Sequence, residues 1–141
     1  MKFTNVLTIA ALLVVSLSAT HCTAGKDYVP STEETLTRNG WGVEYYFQQQ
    51  NMTNEFSEYR ITFRSNGIIN CRKDNELISG SWNRVVDASQ SEIIVININT
   101  TNTVINKLNG SWTLLNLTSQ YINFEDGQQP AGSLMRIRVK P

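Results

Sequence analysis

The sequence predicts an all-β protein: a single antiparallel, eight-stranded up-and-down barrel that follows one short helical turn. From Trp41 onward, apolar residues recur at every second position, as they do in half-buried strands. The alternating segments are short and separated by turn residues, which is typical of a sandwich or a barrel. Eight such segments follow one another, and eight is the number at which an up-and-down barrel closes and leaves no edge strand.

The helical turn is predicted just before the first strand. Ser31 and Glu34 have the Ser-x-x-Glu spacing of a capping box, in which side chains satisfy the free N–H groups at a helix start. The first strand is predicted at residues 41–48 and the second at 59–64, each with alternate side chains facing inward. The Asn-Gly pair at 66–67 is the strongest short signal of a β-hairpin.

The rest of the chain continues this pattern. Further strands are predicted at residues 68–72, 77–85, 92–98, 111–117, 121–124 and 134–139. A helical turn is expected between residues 100 and 107, and a loop at 127–132. These boundaries describe one barrel domain, residues 36–141, which is long enough for one hydrophobic core and too short for two.

The first 21 residues have the pattern of a secretory signal peptide. Lys2 is followed by an apolar run from Val6 to Leu17 and then by small residues. A membrane-spanning helix needs about 20 apolar residues, so this run is too short to remain as an anchor. The pattern therefore predicts an exported protein.

A cysteine stands directly after this signal. Cys22 lies where a bacterial lipoprotein signal ends, and a polar stretch follows it. This similarity predicts acylation of Cys22, with residues 22–35 as a tether and short helical turn and the protein anchored in the envelope (outer membrane or periplasm). The alternative is ordinary cleavage after Ala19 or Ala24, which would give a soluble secreted protein and leave Cys22 able to pair with Cys71.

Three segments carry a family resemblance. Residues 56–67 read FSEYRITFRSNG, residues 78–82 read ISGSW, and residues 108–112 read LNGSW. This series resembles the small lipocalin-like lipoproteins of Bacteroidetes-type bacteria, an uncharacterised family. The resemblance covers about residues 36 to 125 and implies a lipocalin-like (calycin-type) barrel, but its motifs say little about activity.

The resemblance also implies how the barrel closes. Lipocalins pair a first-strand Gly-x-Trp with a basic residue near the chain end. This pattern would place Trp41 beside Arg136 or Arg138 in a cation–π contact worth about 0.5–2 kcal/mol. Here the sequence reads Gly40-Trp41-Gly42, with glycine directly before the tryptophan.

The residue types argue against catalysis and cofactors. His21 is the one histidine, and cleavage before Cys22 removes it with the signal, so a mature lipoprotein has no histidine for nucleophilic catalysis or zinc binding. No metal site, cofactor or enzymatic activity is therefore predicted, and Cys71 is interpreted as a buried apolar side chain. Basic and acidic residues balance at twelve each without a basic stripe, so nucleic-acid binding is not expected.

Binding is the predicted role. Seven aromatic side chains are expected on inward strand faces, where they would either fill the barrel or line a site for a small apolar ligand: Trp41, Tyr45, Phe47, Tyr59, Phe63, Trp82 and Trp112. The alternative is an envelope interaction or structural protein that uses its polar loops, such as residues 48–55, against a protein or glycan partner. An apolar cavity would favour the first role, and a solid core with an exposed apolar patch the second.

Overall fold

The computed structural model of the protein describes residues 28–126 and 132–140. The predicted signal peptide, His21, Cys22 and most of the predicted loop at 127–132 lie outside the described residues. Among the described helices, none is long and apolar enough to cross a membrane.

The predicted helix start is confirmed. Helix α1 spans Thr32–Arg38, and the side chain of its N-cap Ser31 accepts a hydrogen bond from the backbone N–H of Glu34. The helix is amphipathic, because its inward face buries Leu36 completely while Glu34 pairs with Arg38 on the solvent side.

The predicted closed barrel is also confirmed. Eight antiparallel strands pair in sequence, and the first pairs with the last, so the sheet has no free edge apart from one two-residue strand, β2, folded back on β1. The strands are β1 (Gly40–Gln48), β2 (Gln50–Asn51), β3 (Arg60–Phe63), β4 (Ile68–Lys73), β5 (Glu76–Val86), β6 (Glu92–Asn97), β7 (Gly110–Leu117), β8 (Tyr121–Asp126) and β9 (Ser133–Val139).

The hairpin predicted from Asn-Gly connects β3 to β4. Gly67 has a φ of 80°, a left-handed conformation that glycine adopts without steric cost. Its N–H donates to the carbonyl of Arg64, and its own carbonyl accepts from the N–H of Trp82. The indole N–H of Trp82 donates to the carbonyl of Arg64 at 2.9 Å, so this side chain fastens the turn to β5.

Strand β1 departs from strict alternation. Val43 lies opposite Ile137 and Tyr45 lies opposite Arg136. Glu44 is therefore an extra residue with no opposite residue on β9, which makes a β-bulge. Beyond the bulge the phase is reversed: Tyr46 faces inward beside Met135 and is 1% exposed, whereas Tyr45 is 37% exposed on the outer face. The predicted inward positions of Tyr45 and Phe47 are therefore wrong, because a one-residue insertion turns every later side chain to the other face.

Helix α1 covers the barrel end at which β1 begins. It packs against β3 on one side, and on another Thr32 lies near enough to Glu92, at the start of β6, to help lower the pKa of that carboxyl group after Arg84. Its Leu36 is fully buried, and the Leu36 carbonyl accepts the indole N–H of Trp41 at 2.9 Å. The helix thus closes this end and supplies an acceptor for a buried donor.

Two short helices cover the other end. They are a 3-10 turn at Thr53–Phe56 and helix α2 at Thr103–Asn106, which confirms the helical turn predicted between residues 100 and 107. Phe56 and Ile105 are completely buried, and an ion pair between Glu55 and Lys107 links the two segments. Apolar side chains therefore close both ends of the barrel.

Cys71 lies inside the barrel wall, as predicted. It is fully buried on β4, opposite Ile78 of β5, and within residues 28–126 and 132–140 it forms no disulfide. Burial raises the pKa of the Cys71 thiol to about 12, because the thiolate would lose its hydration there.

This burial predicts a loss of stability in alkali. The unfolded thiol loses its proton near its ordinary pKa of 9.0, whereas the folded thiol keeps it to about 12, so stability falls as the pH rises between these values. At about pH 10.5 the loss from Cys71 amounts to about 2 kcal/mol. We expect the Cys71→Ala variant to lose about 2 kcal/mol less than the wild type between about pH 8 and pH 10.5, measured by urea unfolding. Equal losses in the two proteins would contradict this assignment.

Candidate functional site

The barrel interior is occupied by its own side chains. Of the seven aromatic residues predicted to face inward, five do so and are no more than 5% exposed: Trp41, Tyr59, Phe63, Trp82 and Trp112. Phe63 meets Trp82 edge to face at 5.3 Å, and Trp112 meets Tyr46 in the same manner at 6.1 Å. These rings form a continuous core with the inward isoleucines of β3, β4, β6, β8 and β9.

Each buried tryptophan has its polar atom satisfied. The indole N–H of Trp112 donates to the carbonyl of Leu108 just after α2, at 2.8 Å. The N–H groups of Trp41 and Trp82 donate to the carbonyls of Leu36 and Arg64. An indole N–H that is already bonded to the backbone offers no handle to a ligand inside the barrel.

Two tyrosine hydroxyls stabilise the barrel end that the 3-10 turn and α2 cover. The Tyr46 hydroxyl donates to the carbonyl of Lys107 at 2.9 Å, and the Tyr59 hydroxyl accepts from the side-chain amide of Asn102 at 2.8 Å. Burial raises the pKa of Tyr46 to about 12, and the nearby charges of Asp126 and Glu55 act in the same direction. Tyr46 therefore stays a neutral donor, and both hydroxyls are engaged in structural contacts.

The barrel closes differently from the way the resemblance implies. Trp41 is completely buried inside the wall, whereas Arg136 and Arg138 lie on its outer face with side chains 48% and 58% exposed. Both guanidinium groups pair with Glu44, the bulge residue of β1, at 3.8 and 2.9 Å. The predicted cation–π contact with Trp41 is therefore wrong, because the wall separates the indole from both cations. Backbone pairing of β1 with β9 closes the barrel instead.

A shallow groove of about 250 Å³ crosses the outer face of four adjacent strands, β1, β9, β8 and β7. We call it the outer-wall groove; its outward-facing lining residues are Tyr45, Leu115, Asn123, Leu134 and Arg136, and it is also bordered by Phe124 and Met135, whose side chains face the core. Leu115 is 54% exposed, and Tyr45 and Leu134 are each 37% exposed, so apolar surface faces solvent here.

A second β-bulge contributes to this groove. Leu114 lies opposite Phe124 and Asn116 lies opposite Asn123, so Leu115 has no partner and points outward. At the groove edge, the guanidinium of Arg136 donates to the side-chain carbonyl of Asn123 at 2.6 Å and lies 5.5 Å from the ring of Tyr121. An apolar strip thus lies beside a cation that is held in place.

Sequence reasoning missed this groove, since it depends on two bulges. An alternating pattern does not show where an extra residue is inserted, so Tyr45 was assigned to the interior and Leu115 to no site. Within residues 28–126 and 132–140, no group of three or more histidine, cysteine or acidic side chains is placed to hold a metal ion.

The described residues define a small, closed antiparallel β-barrel with a filled interior and a groove on its outer wall. No protein-family model matches the chain, and no curated protein matches it. A solved structure is similar: the crystal structure of a DUF4847 family protein from Bacteroides vulgatus, with a TM-score of 0.56 and 15% sequence identity. The similarity covers 77% of this chain and 96% of that one. At this identity it shows the fold alone, and it is consistent with the resemblance to an uncharacterised Bacteroidetes-type family.

The neighbouring tyrosines of β1 provide a test of the bulge. Tyr46→Phe removes a hydroxyl that bonds to the Lys107 carbonyl, so we expect it to lower the free energy of unfolding by about 1 kcal/mol. Tyr45→Phe removes an outward hydroxyl and should change stability by less than about 0.5 kcal/mol. Chemical denaturation of both variants measures the difference. The opposite order would mean that the bulge is absent.

Proposed function

We propose that this protein is a cell-envelope lipoprotein that binds a small, mainly apolar ligand in the outer-wall groove and not inside its barrel. Acylation at Cys22 would anchor it, and residues 23–30 would act as the tether. Binding is proposed instead of catalysis because the groove is lined by Tyr45, Leu115 and Leu134, and the one charged side chain among its lining residues, Arg136, is held by an ion pair and a hydrogen bond.

The observation that carries this proposal is the contrast between interior and wall. Inside, Trp41, Trp112 and Tyr46 are at most 1% exposed, and helices cover both ends, so a ligand would have to displace packed side chains. On the outer wall, a ligand can contact the exposed apolar side chains of the groove without displacing packed side chains. Its volume of about 250 Å³ is at the small end of the range for ligand sites, which suits a small molecule.

The lining suggests the chemistry of the ligand. An apolar body would pack against Leu115, Leu134 and the ring of Tyr45. A polar group on the same molecule would lie toward Arg136 and Asn123, whose mutual hydrogen bond holds both side chains in place. The expected ligand is therefore amphipathic, with one apolar and one polar end.

An apolar dye tests the position of the site. The full chain with Cys22→Ser, titrated with N-phenyl-1-naphthylamine, should bind it saturably. Leu115→Asp should weaken binding about tenfold, because it places a charge in the groove. Val86→Asp places the same charge at an exposed apolar residue of β5, outside the groove, and should leave binding unchanged.

The interior is tested by Ile94→Ala, which removes a fully buried side chain away from the groove. Dye binding should not change if the site lies on the wall. Tighter dye binding by Ile94→Ala with no effect of Leu115→Asp would place the ligand in the barrel. No saturable binding by the wild-type sequence would refute the ligand proposal.

A second candidate role is contact with another envelope molecule. Gln48, Gln49, Gln50 and Met52 line a polar concavity of about 390 Å³ at the barrel rim, where Gln49 adopts a φ of 62° at the tip of the β1–β2 turn. Side-chain amides offer both donors and acceptors, which suits a glycan or a polar protein surface. This rim and the exposed Leu115 favour an interaction protein if no small ligand binds.

The anchor has its own test. Cell fractionation of the wild type should place the protein with membranes, and its intact mass should match a chain that starts at an acylated Cys22. Cys22→Ser should move it to the soluble fraction. An unacylated mass that begins after Ala19 or Ala24 would show a soluble secreted protein instead.

A further inference from the structure

Three arginines lie together on the outer face of β3 and β4. Arg60, Thr62 and Arg64 occupy alternate positions and therefore share one face, and Arg72 lies directly opposite Arg60 in the strand pair. Together they line a concave surface of about 260 Å³, the arginine face, whose lining residues are Arg60, Thr62, Arg64, Asn70, Arg72 and Leu77. No basic stripe is evident in the sequence, because Arg72 joins Arg60 and Arg64 on one face only when β3 and β4 pair.

The arginine face differs in charge from the rest of the barrel. Most basic side chains of the described chain have a carboxylate partner: Arg38, Lys73, Arg84, Lys107, Arg136 and Arg138. Within residues 28–126 and 132–140, Arg64 and Arg72 have no ion-pair partner, and none of the residues that line the arginine face is acidic. The unpaired guanidinium groups of Arg64 and Arg72 therefore give this face a local positive charge.

The backbone of β1 helps to position one of these cations. A Cβ atom on Gly40 would overlap the guanidinium of Arg60, so the head of this arginine lies across the glycine. A side chain at position 40 would have to displace the flexible end of Arg60, while the backbone could remain in place.

We propose that the arginine face is a binding site for a phosphate-bearing anion. A guanidinium group has a planar fork of donors that matches phosphate oxygens in pairs, and the groups of Arg64 and Arg72 can together neutralise a doubly charged anion. The side-chain carbonyl of Asn70 already accepts from the Ser79 hydroxyl at 2.8 Å, which leaves the amide N–H groups of Asn70 as further donors. Leu77 provides an apolar edge for the group that carries the phosphate. This site is separate from the outer-wall groove.

The first experiment uses the full chain with Cys22→Ser and inorganic pyrophosphate as the probe, in calorimetric titrations at constant ionic strength. We expect saturable binding to one site, weakened about tenfold or more by Arg64→Gln and by Arg72→Gln. Arg84→Gln removes the same charge from a cation that pairs with Glu92 elsewhere on the barrel, and it should change the Kd by less than about twofold.

Thermal melting separates binding from folding. Arg72→Gln should leave the melting temperature nearly unchanged, because Arg72 is exposed and has no ion-pair partner within the described residues. A lower melting temperature together with weaker binding would mean that Arg72 has a structural role, and would overturn its assignment to the site.

Vesicles distinguish a free anion from a lipid headgroup as the source of phosphate. Sedimentation with phosphatidylglycerol vesicles, compared with phosphatidylcholine vesicles, measures binding to an anionic membrane surface. Pyrophosphate binding that depends on Arg64 and Arg72 supports the site with a soluble anion. Binding to phosphatidylglycerol alone, lost in Arg72→Gln, supports it with a headgroup. No binding to either probe, or equal losses in Arg72→Gln and Arg84→Gln, would overturn the proposal.

Discussion

The pairing of β1 with β9 is the constraint on which the other features depend. It joins the first and last strands through a run of antiparallel partners from Trp41 and Val139 to Phe47 and Leu134, interrupted once by the bulge at Glu44. Closure removes the long sheet edges and commits every inward side chain to one enclosed space. An eight-stranded barrel is just wide enough for side chains to fill it, and three tryptophans, Tyr46 and Phe124 do so. A filled interior leaves the outer wall as the place for the proposed ligand.

The polar atoms of these large rings explain the short helices. Buried donors need acceptors, and the backbone offers free carbonyls at helix C-terminal ends. Leu36, in the last turn of α1, accepts from Trp41, and Leu108, just after α2, accepts from Trp112. Each helix thus covers one end of the barrel and also satisfies the indole beneath it. The two ends are built on the same plan: a short helix, a glycine that starts a strand, and a tryptophan that points back under the helix.

The outer wall has two areas of different chemistry. On β1, β7, β8 and β9, bulges at Glu44 and Leu115 expose apolar side chains, and Glu44 pairs with the two nearby arginines. On β3 and β4, three arginines share a face whose lining includes no carboxylate. A chain with equal numbers of acidic and basic residues therefore has an uneven charge distribution on its surface. The proposed apolar ligand and the proposed anion would occupy these two separate areas.

The sequence by itself determined the features that depend on neighbouring residues. Ser31 and Glu34 specify the helix start, alternation specifies the eight long strands, and Asn66-Gly67 specifies the β3–β4 hairpin. The predicted interior was correct wherever alternation was unbroken, as at Tyr59 and Phe63. Only the tertiary structure decided the rest: the inward turn of Tyr46 in place of Tyr45, the burial of Trp41 away from Arg136 and Arg138, and the outward position of Leu115. Each depends on which residues face one another across paired strands, and that register is set by contacts between distant segments and not by the local pattern.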